Sequence, residues 1–417
     1  MLRCLGLIAA SSGLILVVGC GMRGPATPEA PTGPATGEVG ESYRFTAVTT
    51  DPLNLPVRYQ FSWGDGESGW SPYLPSGQPV AMAHAWQRAG AFSVKVRAQD
   101  LSQMESDFSP AHAILVGGRS GYPDEVIATI STPGDPTDIA VLPNGEFVYV
   151  ANEVVNYVTV VRARDWSVVG RVTCGTAPWL LAAAPNSERV YVSNHEDATV
   201  SVIRSEDNAV VATVGVSGHP CRPAITPDGA FCYVPCQTAD VVSVIRTRDN
   251  DVVATVAVGS DPREASSLPD GSAIYVANQA SQSLSVISTE SNTVVGTVRL
   301  PFSPHRVTCN PTGEYVYTSE YGGNRVAVVS VASGEVVATV EPGTYPCSMV
   351  CLPTGDYLYT ANVGSDDVGI VRTSDNTTVG HVPCGEAVWS VAAPASGEFV
   401  AACSRYSKAV YIIGHNE

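Results

Sequence analysis

A repeat of 42 residues is the feature that most constrains how this chain of 417 residues can fold. A proline recurs at this spacing, and a valine takes the seventh place, at Pro136, Pro178, Pro220, Pro262, Pro304, Pro346 and Val388. Each repeat carries four short segments rich in Val, Ile, Thr and Tyr, separated by turn sequences such as Pro-Asn-Gly at 143–145. Segments of this kind are typical of β-strands bounded by tight turns. Each repeat therefore predicts one four-stranded antiparallel sheet, and the region is predicted to be all-β.

The repeat count also predicts how the array ends. The seventh repeat reaches Glu417 after three strand segments, so a fourth strand must come from elsewhere. Glu125–Ile130 repeats the pattern of Glu335–Val340, the fourth strand of an earlier repeat, in the same register of the period. Four short strands in about 40 residues are the signature of a propeller blade. The sequence predicts a seven-bladed β-propeller over residues 124–417, closed by an N-terminal strand in the last blade (3+1).

The second strand of most repeats carries a motif. It reads Tyr-Val-Ala-Asn at 149–152 and 275–278, Tyr-Val-Ser-Asn at 191–194 and Tyr-Thr-Ala-Asn at 359–362. These units resemble the YVTN-type propeller repeats of bacterial and archaeal surface proteins. Propellers of this general sort include binding platforms, lactonases and subunits of periplasmic dehydrogenases. The resemblance therefore implies a fold without selecting a function.

Residues 38–117 show short alternating segments that predict a separate immunoglobulin-like β-sandwich. The run Tyr59–Gly66 ends in Trp-Gly-Asp-Gly, and Trp86–Val94 has an aromatic, glycine, aromatic and valine at fixed spacing. These two runs resemble the PKD-type extracellular domain. Residues 118–123 are predicted to be the linker to the propeller.

The N-terminus predicts export and anchoring. Residues 1–19 carry one charge, at Arg3, and an apolar segment too short to span a bilayer. Leu16–Cys20 resembles the lipobox of bacterial lipoproteins, which implies a lipoprotein signal peptide and lipidation of Cys20. Gly21 follows instead of the Asp often found in inner-membrane lipoproteins, which favours an outer-membrane or cell-surface location. Residues 20–37 are rich in Pro, Gly, Thr and Ala and are predicted to form a flexible tether.

Charge excludes one class of partner. The chain has 40 acidic and 23 basic residues, a formal net charge of −17. A nucleic-acid-binding protein needs a basic surface to meet phosphates, so no nucleic-acid partner is expected. The membrane is expected to be reached through the lipid anchor, and the partner is expected to be a protein, a glycan or a small molecule.

Positions at which the repeats differ are the candidates for a functional site. The starts of the inner strands should lie on the same end of the propeller as the loops between second and third strands. We call this end the funnel face, and the opposite end, built from the other turns, the turn face. The predicted binding residues at the funnel mouth are Trp179, Arg222, Arg263, Glu264, His305, Arg306, Tyr321 and Trp389. Each also has a structural interpretation: the Trp rings could plug the channel, and the charges could be solvated rim groups.

Neither the cysteines nor the known motifs predict a cofactor. No Cys-x-x-Cys, His-Glu-x-x-His or phosphate-binding Gly loop occurs, so no metal and no catalytic residues are assigned. Folding the first hairpin of the third repeat about Asp228-Gly229 brings Cys221 nearly opposite Cys236, which makes this pair the expected disulfide. A register error of one residue would break that pairing.

The sequence thus predicts a lipid-anchored cell-envelope protein whose propeller is a non-enzymatic binding or interaction platform. The alternative is a propeller enzyme or enzyme subunit, lactonase-like or dehydrogenase-like, with its site at the funnel mouth.

Overall fold

The computed structural model of the protein describes residues 24–38, 42–86, 90–117 and 122–415. The predicted signal peptide and the lipidation site at Cys20 lie outside these residues. Contacts within the chain divide it into two compact units.

The N-terminal unit is a β-sandwich. Its strands are β1 (Thr36–Glu38), β2 (Tyr43–Ala47), β3 (Val57–Ser62), β4 (Val80–His84), β5 (Gly90–Asp100) and β6 (His112–Gly117). One sheet has the order β1-β6-β5-β3, and β2 pairs with β4 in the other. Strand β3 alternates buried and half-buried residues, as expected of a strand with one face in a core.

The prediction of a tether up to Gly37 is wrong for the stretch from Ala26 onward. Thr32 and Thr46 exchange two backbone hydrogen bonds of 2.9 Å, and the Thr49 hydroxyl donates to the Ala26 carbonyl at 2.6 Å. Residues of β1 pair in parallel with β6. The segment lacks bulky apolar side chains, but backbone pairing needs none, so composition alone misjudged it.

The repeat region consists of seven four-stranded sheets among the described residues. The first strand after the N-terminal unit is β7 (Glu125–Ser131). From inner to outer strand, the first three sheets are β8 (Pro136–Val141), β9 (Phe147–Asn152), β10 (Tyr157–Arg162), β11 (Ser167–Thr173); β12 (Pro178–Ala183), β13 (Arg189–Asn194), β14 (Thr199–Arg204), β15 (Ala209–Gly215); and β16 (Ala224–Ile225), β17 (Phe231–Cys236), β18 (Val241–Arg246), β19 (Asp251–Ala257).

The fourth, fifth and sixth sheets follow the same order, and the seventh sheet includes β7 as its outer strand. They are β20 (Pro262–Ser267), β21 (Ala273–Asn278), β22 (Ser283–Ser288), β23 (Thr293–Arg299); β24 (Pro304–Cys309), β25 (Tyr315–Glu320), β26 (Val326–Ser330), β27 (Glu335–Val340); β28 (Pro346–Cys351), β29 (Tyr357–Asn362), β30 (Asp367–Arg372), β31 (Thr377–Pro383); and β32 (Val388–Ala392), β33 (Val400–Ser404), β34 (Ala409–Gly414), β7. Two short 3₁₀ turns, Glu153–Val155 and Gln237–Ala239, follow β9 and β17.

The innermost strands contact one another in sequence from β8 to β32, and β32 also contacts β8. Buried residues of neighbouring sheets form shared apolar clusters, as between Val244 of β18 and Val276 of β21. The all-β, β-propeller-like prediction is therefore confirmed.

The repeated motif explains how neighbouring sheets are joined. The Tyr149 hydroxyl donates to the Asn208 side chain at 2.7 Å, and the Tyr233 hydroxyl does the same to Asn292. Each Asn lies in the turn between the third and fourth strands of the following sheet and has a positive φ, which Asn tolerates well. In the sixth sheet the partner is the backbone: Tyr359 donates to the Pro123 carbonyl, just before β7. In these three sheets the tyrosine is therefore structural, whereas the buried Tyr191 hydroxyl has no hydrogen-bond partner among the described residues.

Candidate functional site

A bulge at the start of the inner strands positions the residues predicted for the funnel mouth. The pairing of β12 with β13 skips one residue between Pro178 and Leu180, and the same irregularity recurs in the sister sheets. A bulge leaves one residue outside the ladder and re-aims its side chain. The skipped residues are Thr137, Trp179, Arg263, His305 with Arg306, Cys347 and Trp389.

The Arg222 side chain lies between the inner strands and bonds to residues of five other sheets. Its guanidinium pairs with Asp138 at 2.7 Å and with Glu264 at 3.3 Å. It also donates to the hydroxyls of Ser348 and Ser390, each at 3.3 Å. The Arg222 side chain is nearly buried, so this ion network closes the channel. Its charges are therefore not the solvated rim groups that the sequence also allowed.

The carboxylates of this network have backbone partners as well. Glu264 accepts from the Val307 amide at 3.2 Å, and Asp138 accepts from the Leu181 amide at 2.7 Å. Burial raises the pKa of Glu264, and the guanidinium groups of Arg222 and Arg306 oppose part of that rise. Arg306 is itself 4% exposed, so two cations and two carboxylates are buried together. This balance avoids an uncompensated buried charge.

His305, Tyr321 and Tyr345 form an aromatic group on the funnel face. The His305 ring centroid lies 5.3 Å from that of Tyr321 and 6.3 Å from that of Tyr345. Tyr321 is 49% exposed, whereas His305 is buried. Burial, followed by the charges of Arg306 and Arg263, holds the pKa of His305 well below its usual value, so this imidazole is neutral at pH 7.

A second group surrounds Trp179. The His195 ring lies edge-on to Trp179 at 4.5 Å and 4.6 Å from the ring of His219. Burial lowers the pKa of His195, partly opposed by the bond from its ring to the Pro220 carbonyl.

The remaining predicted residues have close charged partners. The Arg405 guanidinium lies over the Trp389 ring at 5.4 Å and pairs with Glu153 at 3.1 Å. Arg263 pairs with Asp261 at 2.9 Å. Arg263 is therefore engaged within its own repeat, and Trp389 is covered on one face by a cation.

Two ring nitrogens on this face are buried and lack a hydrogen-bond partner within the described part of the chain: His305 Nδ1 and Trp389 Nε1. Buried polar groups in native proteins are nearly always bonded, so each such atom needs an explanation, for example a ligand.

The structure separates the predicted residues into two layers. Arg222, Glu264 and Arg306 form the buried network, while Trp179, Arg263, His305, Tyr321 and Trp389 lie at the rim. Sequence reasoning missed Tyr345 and His219, each of which immediately precedes one of the prolines that recur every 42 residues. The signal was present, since sister repeats have Ala or Asp at that position, as at Ala177 and Asp261.

The expected disulfide between Cys221 and Cys236 is wrong, because both are free thiols. The backbone of Cys236 forms an antiparallel β-bridge with Pro220, and the Cys221 amide donates to the Pro235 carbonyl at 2.8 Å. The register is shifted by one residue, and successive strand residues point to opposite faces. Burial also raises the pKa of the Cys221 thiol to about 12, which makes it unreactive.

Cavities occur away from the funnel face too. One of about 450 Å³ on the turn face is lined by Glu146, Arg162, Trp166 and Phe399 among others. Arg162 there already pairs with Asp165 at 2.7 Å, and Trp166 packs edge-on against Phe399. These groups are satisfied by their neighbours, unlike the two ring nitrogens of the funnel face.

Comparison with known proteins supports each unit separately. The model of the PKD domain matches residues 29–104, which confirms the predicted PKD-type domain, although the match begins before residue 38, the predicted start. A chain of Kuenenia stuttgartiensis hydrazine synthase is 24% identical, with a TM-score of 0.63, over 71% of this chain and 99% of that chain. At this identity the likeness shows the fold alone. No curated protein matches the sequence.

PKD domains are typical of extracellular proteins. Among the described residues, no helix has the length and apolar character needed to cross a membrane.

Proposed function

We propose that the chain is a lipid-anchored protein of the cell envelope, at the outer membrane or cell surface. In this proposal the seven sheets are the blades of a closed propeller of YVTN type, with β7 completing the last blade. The propeller is a non-enzymatic binding platform, and its partner binds at the funnel face. The lipid is carried by Cys20.

The observation that carries the binding proposal is the pair of unpartnered ring nitrogens on the funnel face, His305 Nδ1 and Trp389 Nε1. A partner with hydrogen-bonding oxygen groups would satisfy both. Around them stand Trp179 and Tyr321, and rigid aromatic rings of this kind dominate binding energy at the centres of interfaces. In the buried ion network beneath, Arg222, Asp138 and Glu264 are bonded to one another and to the backbone, which favours a binding surface over a reactive centre.

The test is capture of an envelope partner by the immobilised full-length protein in detergent. We expect Trp389→Ala and Tyr321→Ala each to reduce the captured amount strongly. Tyr321 is exposed, so its replacement should leave folding intact.

The matched control is Tyr315→Ala in the same repeat. Tyr315 is a partly exposed tyrosine at the start of β25, on the turn face. We expect this variant to capture as the wild type does. Capture that is lost in Tyr315→Ala and retained in both funnel-face variants would show that the partner binds the other face.

A further inference from the structure

His195, Glu196 and His219 bring three potential metal ligands together on the funnel face. One ligand atom from each lies within 4.8 Å of the other two. The first two residues follow β13, and His219 immediately precedes Pro220 in the next repeat. Two consecutive repeats thus build the cluster, and its 24-residue separation in sequence matches no common metal-binding motif.

The hydrogen bonding of His195 prepares it as a ligand. Its Nδ1 lies 3.3 Å from the Pro220 carbonyl, which can only accept, so Nδ1 carries the proton. The lone pair of the neutral ring is then on Nε2. Metal-binding histidines commonly donate their second nitrogen to a backbone carbonyl in this way, which fixes the tautomer and the ring orientation.

Packing holds the two imidazoles close without stacking them. Their planes are inclined by 58° at a centroid distance of 4.6 Å, and Trp179 supports the His195 ring from the side. Both histidines are half-buried and Glu196 is exposed. Glu153 adds a second carboxylate that acts electrostatically on His195, although Arg405 offsets part of its charge.

We propose that His195, His219 and Glu196 bind a divalent transition-metal ion of the Zn²⁺ class. Two imidazole nitrogens and one carboxylate are the ligand set of several zinc sites with an open fourth position. Ligand atoms about 2.0–2.2 Å from a tetrahedral ion lie about 3.3–3.6 Å apart, so binding requires the three groups to close by roughly 1 Å. The exposed side chain of Glu196 is free to make this adjustment. The fourth position would face the solvent at the funnel face, where it can take an oxygen group of a partner.

This site goes beyond the binding platform proposed above and does not depend on it. The experiment titrates Zn²⁺ into the full-length protein in detergent, after dialysis against a chelator, by isothermal calorimetry. We expect one saturable site in the wild type. His219→Ala and Glu196→Gln should each weaken it by more than about 100-fold, the upper end of the losses seen when only an outer-shell partner is removed.

The control is His381→Ala. His381 is an exposed histidine that pairs with Asp367 at 3.0 Å on outer strands of the sixth sheet, so it matches the chemistry without the cluster. We expect its removal to leave the affinity unchanged. Glu196→Gln alters one exposed group, and circular dichroism checks that both variants are folded.

Absence of saturable Zn²⁺ binding in the wild type would overturn the proposal, and so would unchanged affinity in a folded Glu196→Gln or His219→Ala protein. Because the readout is metal affinity, its failure is distinct from a failure of partner capture. Addition of Co²⁺ gives a second readout, since its visible spectrum reports whether the ligands surround the ion.

Discussion

Arg222 shows how one side chain can belong to the whole ring. Its partners Glu264, Asp138, Ser348 and Ser390 are 42, 84, 126 and 168 residues away in sequence. All of these separations are multiples of the repeat, so the residues occupy equivalent positions in different sheets. The repeat therefore indicates that they converge on the axis. It does not indicate which of them spans the channel.

Replacing Arg222 with Met should destabilise the protein by about 3–5 kcal/mol at pH 7, because the change removes the ion-pair partner of two buried carboxylates. The deficit should be smaller at pH 5. The pKa of Glu264 is already raised by burial, and loss of Arg222 removes a charge that opposes the rise. The native variant then binds a proton more tightly than its unfolded chain, so lowering the pH favours the native state. Urea unfolding at both pH values measures this.

Arg372→Met is the control, because the pair of Arg372 with Asp375 is exposed and should contribute little. An Arg222→Met protein as stable as the wild type at pH 7 would mean that the carboxylates have another source of stabilisation.

At the level of elements, the second and third strands of every sheet pair in regular register, whereas the pairs that include the outer strand each have a register shift. The apolar alternation of β7 resembles that of β27, an outer strand, and this was sufficient to identify β7 as an outer strand. In the structure β7 pairs with β34 as the outer strand of the last sheet. The third inner strand is instead only two residues long, where Pro223 cannot donate a backbone bond and the Ala265 amide of the next sheet bonds to the Arg222 carbonyl. Strands are therefore predictable where side-chain alternation decides them, and less so where single prolines and bulges do.

Disrupting β7 tests whether it closes the ring. Adjacent strand residues direct their amides to opposite sides, so the double variant Ala128→Pro/Thr129→Pro must remove at least one donor facing β34. We expect a large loss of thermal stability and faster hydrogen exchange throughout the last sheet, since the pairing joins distant parts of the chain.

The matched variant is Ala338→Pro/Thr339→Pro in β27, which occupies the same place in the fifth sheet. There the outer strand is joined covalently to its own sheet, so the damage should remain local. Equal losses in the two variants would show that β7 has no special role in closure.

For the whole molecule, the acidic balance and the N-terminal sequence define the expected environment. A net charge of −17 disfavours binding to nucleic acid and gives no net electrostatic attraction to anionic lipids. The proposed membrane association is therefore assigned to a lipid on Cys20.

Cys20→Ser should convert the protein from the membrane fraction to the soluble fraction of the envelope. The serine has no thiol to accept the lipid, so the variant loses the one membrane anchor that we propose. Fractionation together with metabolic labelling by a radioactive fatty acid measures both effects. A Cys20→Ser protein that still sediments with membranes and carries label would place the anchor elsewhere.

The sequence by itself determined the sheet content and the repeat, because hydrogen-bond ladders and apolar faces depend on alternation within a few residues. It also placed the rim residues Trp179 and Trp389 on one face, since they occupy equivalent repeat positions. The tertiary structure decided the rest. A register shifted by one residue set the facing of Cys221. The reach of Arg222 decided that predicted rim charges are buried, and the packing of two repeats brought His219 beside His195. Such contacts depend on side-chain length and on fractions of an ångström between sheets, which no local pattern encodes.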